Sequence, residues 1–312
     1  MGVFVFLPLV LPLTAWPIAR VAEQYLHPRR STRLLSLIGG VLAVSSTLCL
    51  ALLVVVGTAQ LPGNPLPDGW SDPEVREAVP CDEVAGKAAI GALVPVAVSC
   101  TGTVWRHHRA RRRAQDAIAG LPDALVTTLP DDKAYAYALP AASGKPGRIV
   151  VSTAMLACLS GSEQRAMIAH EQAHLAGRHH RYLLAAQLAA RANPLLRPLQ
   201  RAVAYCAERW ADEEAAREVG DRTVTARAVG KAALVSRGTP AATLAGFAAP
   251  GPVPRRVAAL LGPVPPAQYW PPAWTAPGLA AWIAAAGTAA SAVSSANAAV
   301  ALFLILQAAT PL

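Results

Sequence analysis

An uncharged run from Leu34 to Ala59 constrains this chain more than any other feature. Roughly 20 apolar residues in a helix suffice to cross the hydrocarbon core of a bilayer, and this run is longer. Two further runs without charge occupy residues 88–105 and 279–309. Only 15% of all residues are charged and 54% are hydrophobic, whereas about 25% are charged in an average soluble domain. The sequence therefore predicts a membrane protein with several transmembrane helices.

A fourth apolar run, residues 3–19, contains three prolines, and we expect it to form an irregular first span. A cleavable signal peptide is the alternative, but the basic n-region of such peptides is missing. Arginines follow this run, and a cluster of arginines and histidines occupies residues 106–113. Because basic residues favour the cytoplasmic side, we predict a cell-membrane protein with both termini outside. The loop at 60–87 would then be external and the domain at 106–265 cytoplasmic.

The net charge of +9 would suit a nucleic-acid partner if a soluble surface carried it. Here the basic residues adjoin the apolar runs, where they set membrane orientation instead. We therefore expect contacts with membrane lipids and no direct binding of nucleic acid. The abundance of arginine, alanine and proline suggests a bacterial source with a GC-rich genome.

Within the predicted cytoplasmic domain, residues 170–174 have the sequence His-Glu-Gln-Ala-His. On a helix, His170 and His174 lie on one face, so both rings can bind one metal ion. Glu171 lies between them and can serve as the general base of a hydrolytic reaction. These residue types also occur on ordinary solvated helix faces, so the flanking sequence is needed to distinguish a metal site from such a face. The pattern favours the centre of a zinc hydrolase.

The residues before this motif predict a β-hairpin. Residues 133–139 alternate as in a strand, residues 141–147 are rich in turn formers, and residues 148–152 form a short β-branched strand. We expect Ile149, Val150 and Val151 to form an exposed edge strand that pairs with an extended substrate.

The motif itself lies in a helix with a recognisable start and end. Ser160 and Glu163 have the spacing of a capping box, and the helix is expected to end near Gly177. His179 and His180 follow, and we interpret them as the basic end of a helix, because adjacent residues cannot share one ligand face.

A catalytic zinc ion usually takes three protein ligands, so two histidines need a partner from elsewhere in the fold. Glu208 is the candidate, on a helix predicted over residues 199–219 and closed by Gly220. Asp212 follows one turn later on the same face and can hydrogen-bond a ligand histidine. The alternative is a salt-bridged acidic helix face, for which Glu213 and its acidic neighbours are better placed.

The spacing from the motif to Glu208-Arg-Trp-Ala-Asp212 resembles the gluzincin pattern of peptidase families M48 and M56. The segments at 149–153 and 175–180 resemble the M56 family, whose members include antibiotic-sensing signal transducers. The resemblance implies His170, His174 and Glu208 as Zn²⁺ ligands, Glu171 as the general base and Asp212 as a residue that orients a ligand. Pro254-Arg-Arg-Val257 resembles a segment late in M48 domains, which implies that Arg256 supports the site.

Together these features predict an α+β, mainly α, multi-pass membrane protein. It would have four transmembrane helices and a zincin-like (gluzincin) cytoplasmic protease domain. The expected activity is zinc-dependent cleavage of a cytosolic or membrane-proximal protein or peptide substrate. A signal transducer that inactivates a BlaI-like repressor and a catalytically idle membrane scaffold are the alternatives, and a homo-oligomer stays open.

Overall fold

The computed structural model describes residues 2–61, 63–64, 66–71, 75, 82–141, 146–236, 253–265 and 271–310. Parts of the predicted loop at 60–87 and of the predicted turn at 141–147 lie outside these ranges. The described part of the chain is mainly helical, with one small sheet.

The N-terminal segment is a chain of short helices and not one regular helix. Its order is a 3₁₀ turn at Gly2–Val5, helix α1 at Leu7–Val10, a second 3₁₀ turn at Leu11–Thr14 and helix α2 at Ala15–Tyr25. Pro8 lies in the first turn of α1 and Pro12 in the first turn of the second 3₁₀ piece, where proline's missing N–H is tolerated.

Within the described residues, three helices are long and apolar enough to cross a membrane. They are α3 at Pro28–Ala59, α4 at Asp82–Ala117 and α11 at Ala276–Ala308. Each contains one of the apolar runs predicted as a span, and α4 extends by more than three turns beyond the predicted end at Trp105. The fourth span stays a prediction, because the N-terminal segment contains no helix of that length.

The N-terminal segment nevertheless lies along α3 over most of its length. Near its start, Val5 is fully buried against Leu53 and Val56, and the Phe4 carbonyl accepts a 2.8 Å hydrogen bond from Ser294 Oγ. Near its end, the Ala22 carbonyl accepts a 2.8 Å hydrogen bond from Ser31 Oγ. The segment therefore runs antiparallel to α3.

Helices α3 and α4 meet closely at two glycines. A Cβ atom added to Gly57 would lie 2.5 Å from the Gly86 Cα, and one added to Gly86 would lie 2.3 Å from the Gly57 Cα. Small residues allow two helix backbones to approach in this way. Any larger residue at either position would force the helices apart.

The sheet has three strands, β1 at Val126–Leu129, β2 at Ala136–Leu139 and β3 at Arg148–Ser152. Their spatial order is β1-β3-β2, with β1 parallel and β2 antiparallel to β3. The predicted β2–β3 hairpin pairing is confirmed.

The prediction that Ile149, Val150 and Val151 form an edge strand is wrong. They lie in β3, which is the central strand and is paired on both sides, and all five of its residues are buried. The hydrophobic β-branched run is typical of a strand covered on both faces. Strand β1, which the sequence did not predict, occupies the position that would have been free.

Between the sheet and α11, the described residues form six α-helices. They are α5 at Thr153–Cys158, α6 at Gly161–Ala176, α7 at His179–Ala192, α8 at Arg197–Val219, α9 at Arg222–Val235 and α10 at Val253–Leu261. The predicted end of α8 is confirmed, since Gly220 adopts a left-handed conformation with φ of 76°. Helix α8 packs against α6 on one side and against the membrane-type helix α3 on another, so it connects the site to the apolar helices.

Candidate metal centre

Helix α6 begins as predicted. The Ser160 N–H donates a 2.9 Å hydrogen bond to the Glu163 carboxylate, which also accepts a 2.8 Å bond from Lys231 Nζ on α9. Glu163 is buried, and these two hydrogen bonds hold its pKa below the ordinary value. The start of the helix that carries the motif is thereby tied to α9.

His170, His174 and Glu208 converge as predicted. The two Nε2 atoms lie 3.1 Å apart, and the Glu208 carboxylate oxygens lie 3.5 Å from His170 Nε2 and 3.4 Å from His174 Nε2. A tetrahedral zinc ion with bonds of about 2.0–2.1 Å separates its ligand atoms by about 3.3 Å. The two distances to Glu208 involve different carboxylate oxygens, and one ligand atom from each of the three residues lies within 4.8 Å of the others. The group therefore converges closely and offers the nitrogen and oxygen chemistry that a zinc ion takes.

Asp212 supports this group from one turn further along α8. Its Oδ1 lies 3.1 Å from His170 Nδ1, on the side of the ring opposite Glu208. A carboxylate on the remote nitrogen of a ligand histidine fixes the ring and its tautomer. Burial raises the pKa of a carboxyl group, but the contact with Arg256 outweighs it and lowers the pKa of Asp212 to about 2.

Arg256 on α10 joins both carboxylates. It donates from Nε and Nη2 to the two oxygens of Asp212, at 2.9 and 2.6 Å, and its Nη1 lies 2.8 Å from the Glu208 carboxylate. This planar fork is the geometry in which arginine pairs most strongly with carboxylates. The predicted supporting role of Arg256 thus has a physical basis, since one buried cation balances the buried Asp212 carboxylate and the mostly buried Glu208 carboxylate.

Burial alone would lower the pKa of both ligand histidines. In His170 the contacts with Asp212 and Glu208 prevail and raise the pKa to about 10, whereas in His174 burial prevails and lowers the pKa to about 4. Arg256 and His174 hold the pKa of Glu208 well below its usual range despite burial. Glu208 is therefore ionised, as a metal ligand must be.

Glu171 lies beside the three convergent side chains and contacts the sheet. Its carboxylate faces the Ala138 backbone N–H on β2, a contact that favours the ionised form. Burial raises the pKa of Glu171, partly offset by the charge of His170. A carboxylate with a raised pKa next to a metal position is suited to accept and return a proton.

His179 belongs to the site, and its interpretation as a basic helix end is wrong. It is fully buried, and its Nδ1 lies 2.8 Å from Nδ1 of His174. Burial lowers the pKa of His179 to about 2, so its ring is neutral and can accept the Nδ1 proton of His174. The other face of His179 lies against Trp210, with ring centroids 4.4 Å apart.

The backbone between the two helices explains how His179 reaches the site. Arg178 adopts a left-handed conformation with φ of 51°, which turns the chain sharply after α6. A Cβ atom on Gly177 would lie 2.4 Å from His179 Nε2, so only glycine leaves room for the ring. Helical spacing from His174 could not indicate this contact, but a glycine followed by histidines directly after the motif was a usable signal.

Comparison with known proteins gives one result. Residues 102–191 match the family model of Peptidase family M48. This segment includes the end of α4, the sheet, α6 with both motif histidines, and α7, and it stops before Glu208 and Arg256. No curated protein and no solved structure matches the chain. The M48 match supports the predicted peptidase family, while the resemblance to the M56 family stays a prediction.

Proposed function

We propose that this chain is a membrane-bound, zinc-dependent endopeptidase with His170, His174 and Glu208 as the zinc ligands. The observation that carries the proposal is the convergence of the two Nε2 atoms, 3.1 Å apart, on the Glu208 carboxylate, whose two oxygens lie 3.5 and 3.4 Å from them, with Glu171 beside the group. The match to Peptidase family M48 over the segment that contains both histidines supports the same activity.

When bound, a zinc ion supplies Lewis acidity that polarises a peptide carbonyl and makes water a stronger acid. Glu171 is placed to accept the proton of the attacking water and to return it to the leaving amine. Asp212 and His179 hold the rings of His170 and His174 in the orientation that directs both Nε2 atoms to the same point. The residues of this chain thus supply both the base and the rigid ligand set.

The substrate strand would pair with β2 and not with β3. Strand β2 is bonded to β3 along one edge, and the Ala138 N–H on its other edge points to Glu171. An extended peptide added to this edge would lie beside the general base. Such pairing needs an extended substrate segment, so the enzyme would cleave only unfolded stretches of a protein.

We place the metal centre on the cytoplasmic side, because the basic cluster at 106–113 directly follows the apolar part of α4. The N-terminal segment would be the fourth crossing, since it lies antiparallel to α3 and its proline-broken backbone is packed against other helices. The substrate class is then a cytosolic or membrane-proximal protein. A BlaI-like repressor is a narrower substrate that only the M56 resemblance favours.

The test uses Glu171→Gln in the full chain, purified in detergent. We expect zinc at one equivalent in both the parent and the variant, and a loss of at least a thousandfold in cleavage of an unfolded protein. His170→Ala is the matched control and is expected to lose zinc as well as activity. Cleavage by Glu171→Gln at the parental rate would contradict the role of Glu171. Comparative proteomics of cells with the parent and the variant would identify substrates by their new N-termini.

A further inference from the structure

A large groove lies away from the metal centre, between α3, α4 and α7. Its volume is about 1490 Å³, whereas sites for small molecules have roughly 300–1,000 Å³. Its walls are mostly apolar, with Val44 on α3, Val104 on α4 and Leu188 on α7 as examples. Val44 is 69% exposed although it lines the groove, so the groove opens to the outside of the molecule.

One end of the groove is basic. His108, Arg109, Arg112 and Arg113 line it, and Asp116 is the one acidic residue among the described lining residues. In the part of the chain that the structure describes, Arg112 and Arg113 form no ion pair with a carboxylate. Among the described lining residues, three arginines face one aspartate, so this end of the groove carries a net positive charge.

The groove also has the position of a lipid site. Its apolar part is formed by α3 and α4, which are two of the three helices suited to cross a membrane. In the most apolar stretch of α4 only 11% of the residues are buried, so this helix presents its surface outward. Trp105, a residue type that prefers the membrane–water boundary, lies where the apolar part gives way to the arginines.

We propose that this groove binds an anionic phospholipid, with an acyl chain in the apolar part and the phosphate among Arg109, Arg112 and Arg113. Guanidinium groups pair with phosphate oxygens in a planar fork. Basic pockets between transmembrane helices on the cytoplasmic side suit anionic headgroups. The apolar part of the groove suits an acyl chain, and its basic end suits the phosphate of the same lipid.

Two other occupants fit the groove less well. A second copy of this chain, related by a two-fold axis, would bring the same basic end towards itself, and like charges would repel. A transmembrane segment of a substrate would fill the apolar part but would leave the arginines without a partner. Only an anionic amphiphile satisfies both ends.

The test measures lipid binding by native mass spectrometry of the full chain in detergent, with phosphatidylglycerol and phosphatidylcholine as probes. We expect the parent to retain phosphatidylglycerol at least tenfold more tightly. The double variant Arg112→Gln/Arg113→Gln should abolish this preference. Arg165→Gln/Arg201→Gln removes the same charge from exposed positions on α6 and α8 and should leave the preference unchanged.

A second pair of variants tests the apolar part. A Cβ atom added to Gly40, which lines the groove, meets no atom within 4 Å, so the side chain of Gly40→Phe has room to leave the backbone and occupy the groove. Gly91 on α4 is equally unhindered but lies outside the groove, which makes Gly91→Phe the control. We expect at least a fivefold loss of phosphatidylglycerol for Gly40→Phe and none for Gly91→Phe.

Several results would overturn the proposal. The first is equal binding of the two lipids by the parent. The second is a phosphatidylglycerol preference that Arg112→Gln/Arg113→Gln leaves unchanged, and the third is an equal loss of that preference in the Arg165→Gln/Arg201→Gln control. Binding of inorganic phosphate as tight as that of phosphatidylglycerol would show that the groove contributes nothing. A dimer that Gly40→Phe dissociates would assign the groove to a second copy. None of these measurements depends on zinc or on proteolysis.

Discussion

His174 Nδ1 lies 2.8 Å from Nδ1 of His179, a fully buried histidine at the start of the next helix. If His174 binds metal through Nε2, its Nδ1 carries the proton and His179 must accept it. The lowered pKa of His179, caused first by burial, keeps that acceptor neutral. One proposed ligand is thereby oriented by a carboxylate and the other by an imidazole.

Gly177→Ala should disturb this contact without touching a ligand. The added methyl group would occupy the position of the His179 ring, which Trp210 prevents from moving away. Loss of such an orienting contact typically costs roughly 10–100-fold in metal affinity. Competition with a chelator would measure this affinity. Gly230→Ala, in the middle of α9 with open space around it, should leave zinc binding unchanged. An affinity of Gly177→Ala within twofold of the parent would refute the orienting role.

Arg256→Ala should destabilise the fold far more than the same change at the neighbouring residue. It leaves the carboxylates of Asp212 and Glu208 buried without their cation, which costs about 3–5 kcal/mol. Arg255→Ala removes a partly exposed pair with Glu23, and we expect about 1 kcal/mol. Denaturant titration in detergent micelles would measure both values. Equal losses for the two variants would show that Arg256 is not a buried counter-charge.

Glu163→Gln should reveal a pH-dependent contribution to stability. Lys231 and the Ser160 N–H lower the pKa of Glu163 below its ordinary value of 4.5 in the folded chain. As the pH falls, Glu163 of the unfolded state therefore takes up a proton before Glu163 of the folded state does. Its contribution to the free energy of unfolding is thus present above about pH 4.5 and is lost as the pH falls through the lowered pKa. We expect the variant to melt earlier than the parent at pH 7, and the difference to vanish on acidification. A difference that persists at low pH would contradict this linkage.

Ala138→Pro should impair catalysis through the edge of β2. Proline removes the N–H that faces the Glu171 carboxylate, and the loss of such a polar contact with a charged group costs about 1.5–3 kcal/mol, or about tenfold to hundredfold in rate. Thr128→Pro is the control on the opposite edge. Leu125 O accepts from Ile149 N, so by alternation the Thr128 N–H points away from β3. Equal kcat/KM values for the two variants would show that the Ala138 N–H does not support Glu171 in catalysis.

The sequence predicted the parts of the site that local spacing determines. Helical periodicity placed His170 and His174 on one face, and a capping box at Ser160 and Glu163 located the start of α6. Asp212 followed from its one-turn spacing to Glu208 on a second helix, and Glu208 itself was chosen because a catalytic zinc ion needs a third ligand. The intervals of three or four residues are ones that an isolated helix already defines, whereas the approach of Glu208 to the histidines is a tertiary contact.

The remaining contacts depend on tertiary structure, which local spacing does not encode. Strand β1 has two adjacent threonines, so its sequence lacks the apolar–polar alternation that predicts a strand. It also pairs with a strand more than 20 residues away, which local spacing does not indicate. Its presence moved β3 from the edge to the centre of the sheet. The approach of His179 required a left-handed residue at Arg178, a conformation that most residues avoid.

Trp210 extends the influence of the site to the apolar helices. The guanidinium groups of Arg29 and Arg33, in the first turns of α3, lie 5.3 and 5.4 Å from the centre of its ring, while His179 lies against the ring as well. A fragment of residues 106–265 would lack both arginines and would expose the indole that supports His179. The helix that carries Glu208 and the apolar helix α3 thus share one packed interface, and experiments on catalysis should use the whole chain.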